Sequence, residues 1–208
     1  MSDENRRPLT SRNTAWAARL ASWAVAREIT PNQISQASMG FAAAGFFLYA
    51  FSTQGDGSTQ FLCLILAAAT LQARLVCNLI DGMVAIEGGK GAKDGPFWNE
   101  APDRVSDLLF LAGAGLAANQ PALGLLAASL AIVTAYIREL GRAEGFPPDF
   151  SGPLAKPQRM AVLTAGTVIA AFYASEWTLT VTLWIIILGT AITILRRSFT
   201  LIGKLKAR

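Results

Sequence analysis

The sequence predicts an all-α, polytopic membrane protein built as one domain over residues 1–208. Three observations support this fold class. The chain is 52% apolar and 15% charged, whereas a soluble domain carries about 25% charged residues. The apolar residues gather in six segments, which predict six transmembrane helices. All 18 lysines and arginines lie on one side of this six-span arrangement or near the helix ends that face that side.

The N-terminal segment, residues 1–33, is polar at its start and lacks the short apolar core of a secretory signal peptide. Within it, residues 13–27 place Trp16, Leu20 and Trp23 close to one helical face. This pattern is typical of an amphipathic helix that lies in the lipid headgroup layer. The alternative is a cytoplasmic helix packed on the bundle. The arginines beside the apolar face are Arg12, Arg19 and Arg27.

The six apolar segments follow the N-terminal segment in order. Several are shorter than the ~20 residues that a straight span needs. We expect less apolar turns to extend them, because helices around a polar site need not be apolar on every face. The third segment is the weakest, since Asp107 interrupts its start. The segments are 35–51, 61–80, 105–118, 121–137, 160–174 and 178–195.

The basic residues predict the orientation of the chain. They precede the first span, flank the loops after the second and fourth spans (Arg74 among them), and follow the last span. The positive-inside rule therefore places both termini in the cytoplasm of a multi-pass protein in the bacterial cytoplasmic membrane. A net charge of +4 then indicates attraction to lipid headgroups. We expect no nucleic-acid partner, because no basic solvated domain is visible.

The residue types also limit the chemistry. The chain contains no histidine, which excludes Ser-His and Cys-His nucleophilic pairs and leaves carboxylates as the general bases. Cys63 and Cys77 lie in one apolar segment without the spacing of a zinc site. We interpret both cysteines as small core residues.

Two polar stripes stand where the second span ends and the third begins. In a continued helix, Asn78, Asp81, Gly82 and Ala85 share one face. Downstream, acids and an amide repeat every four residues, which rotates each step by ~40° and raises it by ~6 Å. Two such stripes facing each other predict a site for one or two Mg²⁺ or Mn²⁺ ions. The alternative is a polar cap at a helix end. The second stripe consists of Asn99, Asp103 and Asp107.

This stretch resembles the signature of the CDP-alcohol phosphatidyltransferase family, D-x2-D-G-x2-A-R-x8-G-x3-D-x3-D. Asp81, Gly82 and Ala85 match, the eight-residue spacer ends on Gly95, and Asp103 takes the final acidic position. The motif can also be aligned in a second register. In that register Asp103 and Asp107 are its last two acids, and Asn99 stands at the position of the glycine. The first register needs no change in spacer length.

The chain departs from the family pattern at three positions. Asn78 and Asn99 replace the first and third acids, and Ile86 replaces the arginine. An asparagine carbonyl can ligate Mg²⁺ but brings no charge, so the two asparagines weaken the hold on a cation. We expect Asp107 and Glu100 to restore part of the lost charge.

The resemblance implies a reaction of phospholipid biosynthesis. An alcohol hydroxyl attacks the β-phosphorus of CDP-diacylglycerol, and CMP leaves with the help of Mg²⁺ or Mn²⁺. Similarity makes Asp103 the general base, with Asp107 as the second candidate. It also implies CDP binding by Asp81, Gly82, Ala85 and Gly95, a homodimer, and contact with membrane lipids. The implied metal ligands are Asn78, Asp81, Asn99, Asp103 and Asp107.

A second basic cluster brackets the Gly/Pro-rich loop between the fourth and fifth spans. One interpretation is a positive-inside anchor. The other is a pocket for an acceptor phosphate, because arginine binds phosphate through two parallel hydrogen bonds. The Arg138-Glu139 pair resembles that of family members that use glycerol 3-phosphate, which we therefore expect as the acceptor. The cluster consists of Arg138, Arg142, Lys156 and Arg159.

Two alternative functions remain open on the sequence. A divalent-cation permeation protein would use the acids to line a pathway, but the far half of each predicted span is apolar. A catalytically silent relative would bind a lipid without turning it over, and the three departures from the family pattern favour this reading. Release of CMP from CDP-diacylglycerol separates these alternatives from the transferase.

Overall fold

A computed structural model describes residues 14–86, 88–173 and 176–208, and within these ranges the regular secondary structure is entirely helical. The all-α prediction is thereby confirmed. Residues 1–13 of the predicted N-terminal segment lie outside the described residues, as do Ala174, at the end of the fifth predicted span, and Ser175.

The described residues of each of the six apolar segments lie in a separate helix, except Ala118, which caps α4, and these helices extend beyond the apolar residues at most ends. The largest extensions are at the end of α7, which continues 11 residues beyond its predicted segment, and at the start of α4, which begins ten residues before its own. The helices are α1 (Ala15–Ala26), α2 (Pro31–Ser52), α3 (Gly57–Ile86), α4 (Gly95–Ala117), α5 (Pro121–Ala143), α6 (Lys156–Tyr173) and α7 (Glu176–Lys206).

Local sequence sets several helix starts. Thr30 caps α2 through a reciprocal pair of hydrogen bonds with Gln33, and Pro31 occupies the first turn, where its missing N–H costs nothing. Pro102 is different, because it lies inside α4 and is buried. Its ring nitrogen cannot donate to the carbonyl four residues earlier, which weakens the ladder one residue before Asp103.

The six long helices close into a ring through their principal contacts, in the order α2, α3, α6, α7, α5, α4 and back to α2. Buried side chains such as Leu71, Phe110 and Leu163 fill the interior. The helices α4 and α5 cross closely, since a Cβ on Gly115 would stand 2.7 Å from the Cα of Gly124. Small residues at such crossings are typical of membrane helix packing.

The outer surface is apolar, with Phe47, Trp177 and Phe199 more than half exposed. Four helices of the described residues, α2, α3, α5 and α7, are long and apolar enough to cross a membrane. Helix α4 carries several charges and α6 has 18 residues with two charges at its start. The exterior and the four helices indicate a membrane protein, and the six-span arrangement stays a prediction.

Helix α1 packs on the bundle through a face of small residues. Ala17, Ala21 and Ala24 are buried against the C-terminal part of α3 and the start of α2. The opposite face presents Trp16 and Trp23, each about half exposed at 49% and 51%. One face of α1 is therefore packed on protein, and the aromatic face is exposed; its place in the headgroup layer stays a prediction.

Candidate active site

Three helices bring the polar stripes together. The end of α3 supplies Asn78 and Asp81, the first half of α4 supplies Asp103 and Asp107, and other contacts come from the start of α6. The Asn78 amide nitrogen donates to Oδ1 of Asp103 at 2.5 Å. This contact confirms the prediction that the two stripes face each other.

Asp103 lies at the centre of the site and is contacted by three cations. Nη2 of Arg74 stands 2.9 Å from Oδ1, and Nζ of Lys156 pairs with Oδ2. Nη2 of Arg104 lies 3.5 Å from Oδ2. Asp103 is only 8% exposed, so these charge-assisted contacts replace most of the hydration of its carboxylate.

Asp107 lies one turn further along α4 and is almost fully buried. Its Oδ2 accepts from Nη2 of Arg159 at 2.7 Å, while Oδ1 stands 3.5 Å from Nη2 of Arg74. Nη1 of Arg159 also reaches the carbonyl of Leu154 at 3.4 Å. Arg159 therefore connects α4 both with α6, which carries it, and with the preceding loop, which carries Leu154.

Arg74 was expected beside the loop after the second span, but it lies inside α3 with no exposed surface. The helix can carry this charge because the arginine faces both site aspartates of α4. The sequence contains a usable signal: Arg74, Asn78 and Asp81 stand at i, i+4 and i+7, which is one helical face.

Asp81 differs from the other two aspartates. It is buried and accepts a hydrogen bond from Oγ of Ser35 on α2 at 2.9 Å. Within the described ranges, no lysine or arginine forms an ion pair with it. Asp81 is thus the site carboxylate without a built-in cation.

The remaining motif positions lie at the same end of the bundle. Gly82 and Ala85 follow Asp81 in the last turns of α3, and Gly95 is the first residue of α4. A Cβ on Gly95 would meet nothing within 4 Å. The fold itself therefore leaves open space at Gly95, where a ligand can approach the backbone.

The predicted metal ligands do not form one centre. Asn99 is exposed, and Asp107 is enclosed by two arginines. Over the described residues, no group of three or more histidines, cysteines, aspartates or glutamates is arranged to hold an ion. The donor chemistry fits a single divalent ion on the Asp81 carboxylate with the carbonyl of Asn78, and it does not fit a pair of ions.

The four basic residues predicted to bind an acceptor phosphate are separated. Lys156 and Arg159 pair with the two aspartates of α4. Arg138 binds Glu100 and Glu139, at 2.5 and 2.8 Å. Because Arg159 is 2% exposed, we revise its role to a partner of Asp107. The fourth, Arg142, pairs with Glu139 on the surface.

A pocket beside this network is lined by Arg138, Arg197, Lys204 and Asp149. Burial by itself raises the pKa of Asp149, but hydrogen bonds from Ser151 outweigh burial and leave the pKa below its ordinary value. Asp149 is therefore ionised at neutral pH, and the three basic side chains give the pocket a net positive charge. Glu100, which contacts both Arg138 and Arg104, connects the pocket to Asp103.

Arg197 is the pocket residue that the sequence reasoning missed. It is 3% exposed, with Nε donating to the carbonyl of Ser151 at 2.9 Å and Nη1 to the carbonyl of Thr134 at 3.1 Å. Its third nitrogen, Nη2, has no hydrogen-bond partner among the described residues. A buried guanidinium nitrogen that is left unpaired is costly, and Arg197 is one of the residues that line the pocket.

Comparisons with known proteins agree with this arrangement, although no protein-family model matches the chain. The phosphatidylinositol phosphate synthase of Mycolicibacterium smegmatis is 27% identical over 133 residues, which cover 59% of each chain. The chain is thus matched to less than two thirds of that relative's length. The synthase of Corynebacterium glutamicum is 28% identical over 180 residues, 82% of this chain and 76% of its own.

Solved structures share the fold. The crystal structure of the Mycobacterium tuberculosis phosphatidylinositol phosphate synthase with CDP-DAG bound has a TM-score of 0.75 and 20% identity, covering 90% of this chain and 94% of that chain. The same protein has been solved with manganese and citrate, again with a TM-score of 0.75. These comparisons confirm the resemblance to the CDP-alcohol phosphatidyltransferase family that the motif predicted.

Proposed function

We propose that this chain transfers a phosphatidyl group from CDP-diacylglycerol to a phosphorylated alcohol and releases CMP. The observation that carries the proposal is the junction of α3 and α4, where Asn78 of one stripe binds Asp103 of the other. The similarity to phosphatidylinositol phosphate synthases in sequence, and to one with CDP-DAG bound in fold, supports the same reaction.

The CDP moiety would lie against the open end of α3 and α4, with Gly82, Ala85 and Gly95 letting it approach the backbone. Asp81 with the carbonyl of Asn78 would hold a Mg²⁺ or Mn²⁺ ion. Such an ion, when bound, neutralises the pyrophosphate and stabilises the departing CMP. Lys156 and Arg104, which contact Asp103, would also pair with the phosphates.

The transfer forms a bond between the alcohol oxygen and the β-phosphorus, while the bond from that phosphorus to the CMP oxygen breaks. We assign Asp103 as the general base that takes the proton of the attacking hydroxyl. Asp107 is a second candidate, but it is less accessible to the substrate. Before substrates bind, Lys156 occupies Oδ2 of Asp103. An anionic substrate would draw Lys156 towards its phosphate and free that oxygen to accept the proton.

For the acceptor, we propose an inositol phosphate in place of the glycerol 3-phosphate expected from the sequence. The matched relatives are named phosphatidylinositol phosphate synthases. The positive pocket of Arg138, Arg197 and Lys204 supports a phosphate dianion, and the unpaired Nη2 of Arg197 supplies a donor for it. Of the basic residues predicted from the sequence, Arg138 belongs to this pocket.

Replacing Arg197 by glutamine should raise the KM for the phosphorylated acceptor about 10-fold or more, because a charge-assisted bond contributes roughly 1.5–3 kcal/mol. The KM for CDP-diacylglycerol should stay within about two-fold, since binding terms of separate sites are independent. The measurement is steady-state CMP release with each substrate varied in turn.

Arg196 provides the matched control for Arg197. It is the adjacent residue in the same helix but is exposed, so Arg196→Gln should leave both KM values unchanged. Equal effects of the two substitutions would contradict the assignment of the pocket, since they would indicate a general loss of surface charge.

The proposed function itself is tested by CMP release from CDP-diacylglycerol in detergent micelles with Mg²⁺ or Mn²⁺. The acceptor panel should contain inositol phosphate, glycerol 3-phosphate, free inositol and serine. We expect turnover with a phosphorylated alcohol and little with the neutral ones. Binding of CDP-diacylglycerol without CMP release for any acceptor would support the silent relative, which Asn78, Asn99 and Ile86 favour.

We further propose the complete membrane arrangement, with α2–α7 as six spans and both termini in the cytoplasm of a bacterium. The aromatic face of α1 would lie in the headgroup layer. This arrangement is supported by the apolar exterior and by the positive residues at one side of the bundle. A homodimer remains a prediction from the family resemblance alone.

The arrangement predicts which loops a membrane-impermeant thiol reagent reaches. After Cys63 and Cys77 are replaced by alanine, cysteines at Thr53 and Asn119 should be labelled from the periplasm, while one at Ala92 should be labelled after the membrane is opened. Ser175, the third predicted periplasmic position, lies outside the described residues. Labelling of Thr53 and Asn119 from the cytoplasm alone would contradict the orientation.

A further inference from the structure

Arg74 is the most deeply buried cation of the site. Its side chain has no exposed surface, and Nη2 contacts Asp103 and Asp107 at 2.9 and 3.5 Å. Nε and Nη1 have no hydrogen-bond partner in the described part of the chain. A guanidinium in this position needs strong compensation, because burying a charge costs several kcal/mol even after the protein relaxes.

The compensation comes from the charges around it. Asp81, Asp103 and Asp107 bring three negative charges, and Arg74, Lys156 and Arg159 bring three positive ones. Arg104, which also contacts Asp103, pairs with Glu100 and adds no net charge. The site is therefore neutral from its own side chains. A pair of divalent ions would add four positive charges to a neutral, buried cluster, of which a bound pyrophosphate cancels about half.

The identity of residue 78 fits the same balance. Asn78 stands where the family pattern has an acid, and it lies one turn from Arg74 on the same face of α3. Its amide donates to the oxygen of Asp103 that Arg74 also contacts. Compared with an aspartate at 78, the asparagine makes the site one charge more positive, and Arg74 itself supplies one further positive charge. Together these two charges equal the charge of one divalent ion.

We propose that Arg74 is a built-in cation that takes the place of one divalent metal ion. The chain then takes up at most one ion, at Asp81, with which no lysine or arginine of the described residues forms an ion pair. Arg74 would be a positioning residue that fixes Asp103 and Asp107, not a group that touches the reacting atoms. This inference rests on the proposed function, because it assumes that the metal serves the same CDP-lipid reaction.

The test counts Mn²⁺ ions bound per chain, by the loss of the free-ion EPR signal, on the purified protein in detergent with and without CDP-diacylglycerol. The wild type should bind no more than one ion in either condition. The double variant Arg74→Met/Asn78→Asp lowers the site charge by two and should gain one further ion. Asn78→Asp alone keeps Arg74 and should gain none.

Two ions on the wild type would overturn the inference, whether or not the variants fold. A folded double variant that gains no ion would also overturn it. Thermal unfolding of each variant identifies misfolding, in which case the wild-type count alone decides. The count does not depend on turnover, so absent CMP release with one bound ion would contradict the proposed function and leave the role of Arg74 intact.

Discussion

Replacing Asp103 by asparagine should lower kcat for CMP release by about three orders of magnitude, within the range of 10²–10⁴ that a positioned general base contributes. Asparagine keeps the shape of the side chain but cannot accept the hydroxyl proton. It also removes the charge that holds Arg74 and Lys156. The measurement is single-turnover CMP release at saturating acceptor, which separates chemistry from binding.

Asp94→Asn is the matched control for Asp103→Asn. Asp94 stands just before the same helix, is exposed, and accepts hydrogen bonds from Asn32 and Trp98. Its substitution should change kcat by less than about two-fold, because its carboxylate contacts Asn32 and Trp98 and neither Asp103 nor the cations around Asp103. Single-turnover rates of Asp103→Asn within ten-fold of the wild type, with the protein folded, would remove Asp103 from the role of base.

The elements that the sequence predicted well are those fixed by local pattern. The six apolar segments each became a helix, and the i, i+3, i+4 spacing put Asn78 and Asp81 on the face that meets Asp103. Hydrophobic periodicity and helical geometry suffice for these features. The apolar segment alone starts ten residues after α4 begins, because the residues between Gly95 and Arg104 are mostly charged or polar. The four-residue repeat of Asn99, Asp103 and Asp107 is the pattern that predicts helix there.

The ion pairs of the site could not be predicted in the same way. Arg74 is 29 residues from Asp103 in sequence, Lys156 is 53 residues from it, and Arg159 is 52 residues from Asp107. Such pairs depend on how whole helices pack. The sequence interpretation therefore assigned the basic residues to loops, topology and a phosphate pocket, although three of them complete the aspartate cluster.

The sequence could not predict which of two adjacent arginines lines the proposed acceptor pocket. Arg196 and Arg197 are adjacent and chemically identical, and both were interpreted as positive-inside residues after the last span. The rotation of α7 buries Arg197 against Ser151 and Thr134 and leaves its neighbour exposed. A rotation of 100° per residue decides which arginine lines the pocket, and the packing of α7 on α5, α6 and α4 fixes that rotation.

Before substrates bind, two of the three site carboxylates are paired with cations. Asp103 and Asp107 are neutralised by side chains, and Asp81 is held by Ser35 without a cation. Anionic substrates can then replace the carboxylates as the partners of Lys156 and Arg104, which are more exposed than Arg74. The arginines that remain buried, Arg74 and Arg159, keep the helices in place during that exchange.

Breaking the buried pair of Asp107 and Arg159 should give the largest loss of stability. Arg159→Gln leaves Asp107 buried with Arg74 at 3.5 Å as its remaining cation. Removal of one partner of a buried ion pair costs about 3–5 kcal/mol, because the other charge stays uncompensated. We expect this decrease in the free energy of unfolding, measured by denaturant titration in mixed micelles.

The double variant Asp107→Asn/Arg159→Gln should recover part of that loss, because it removes both charges and keeps side chains that can bond to each other. Arg142→Gln is the matched control. Arg142 pairs with Glu139 in the same basic cluster, but its side chain is 41% exposed, and such surface pairs contribute about 0–1 kcal/mol. If Arg159→Gln costs no more than Arg142→Gln, the Asp107 pair does not hold α6 to α4, and the role we assign to Arg159 fails.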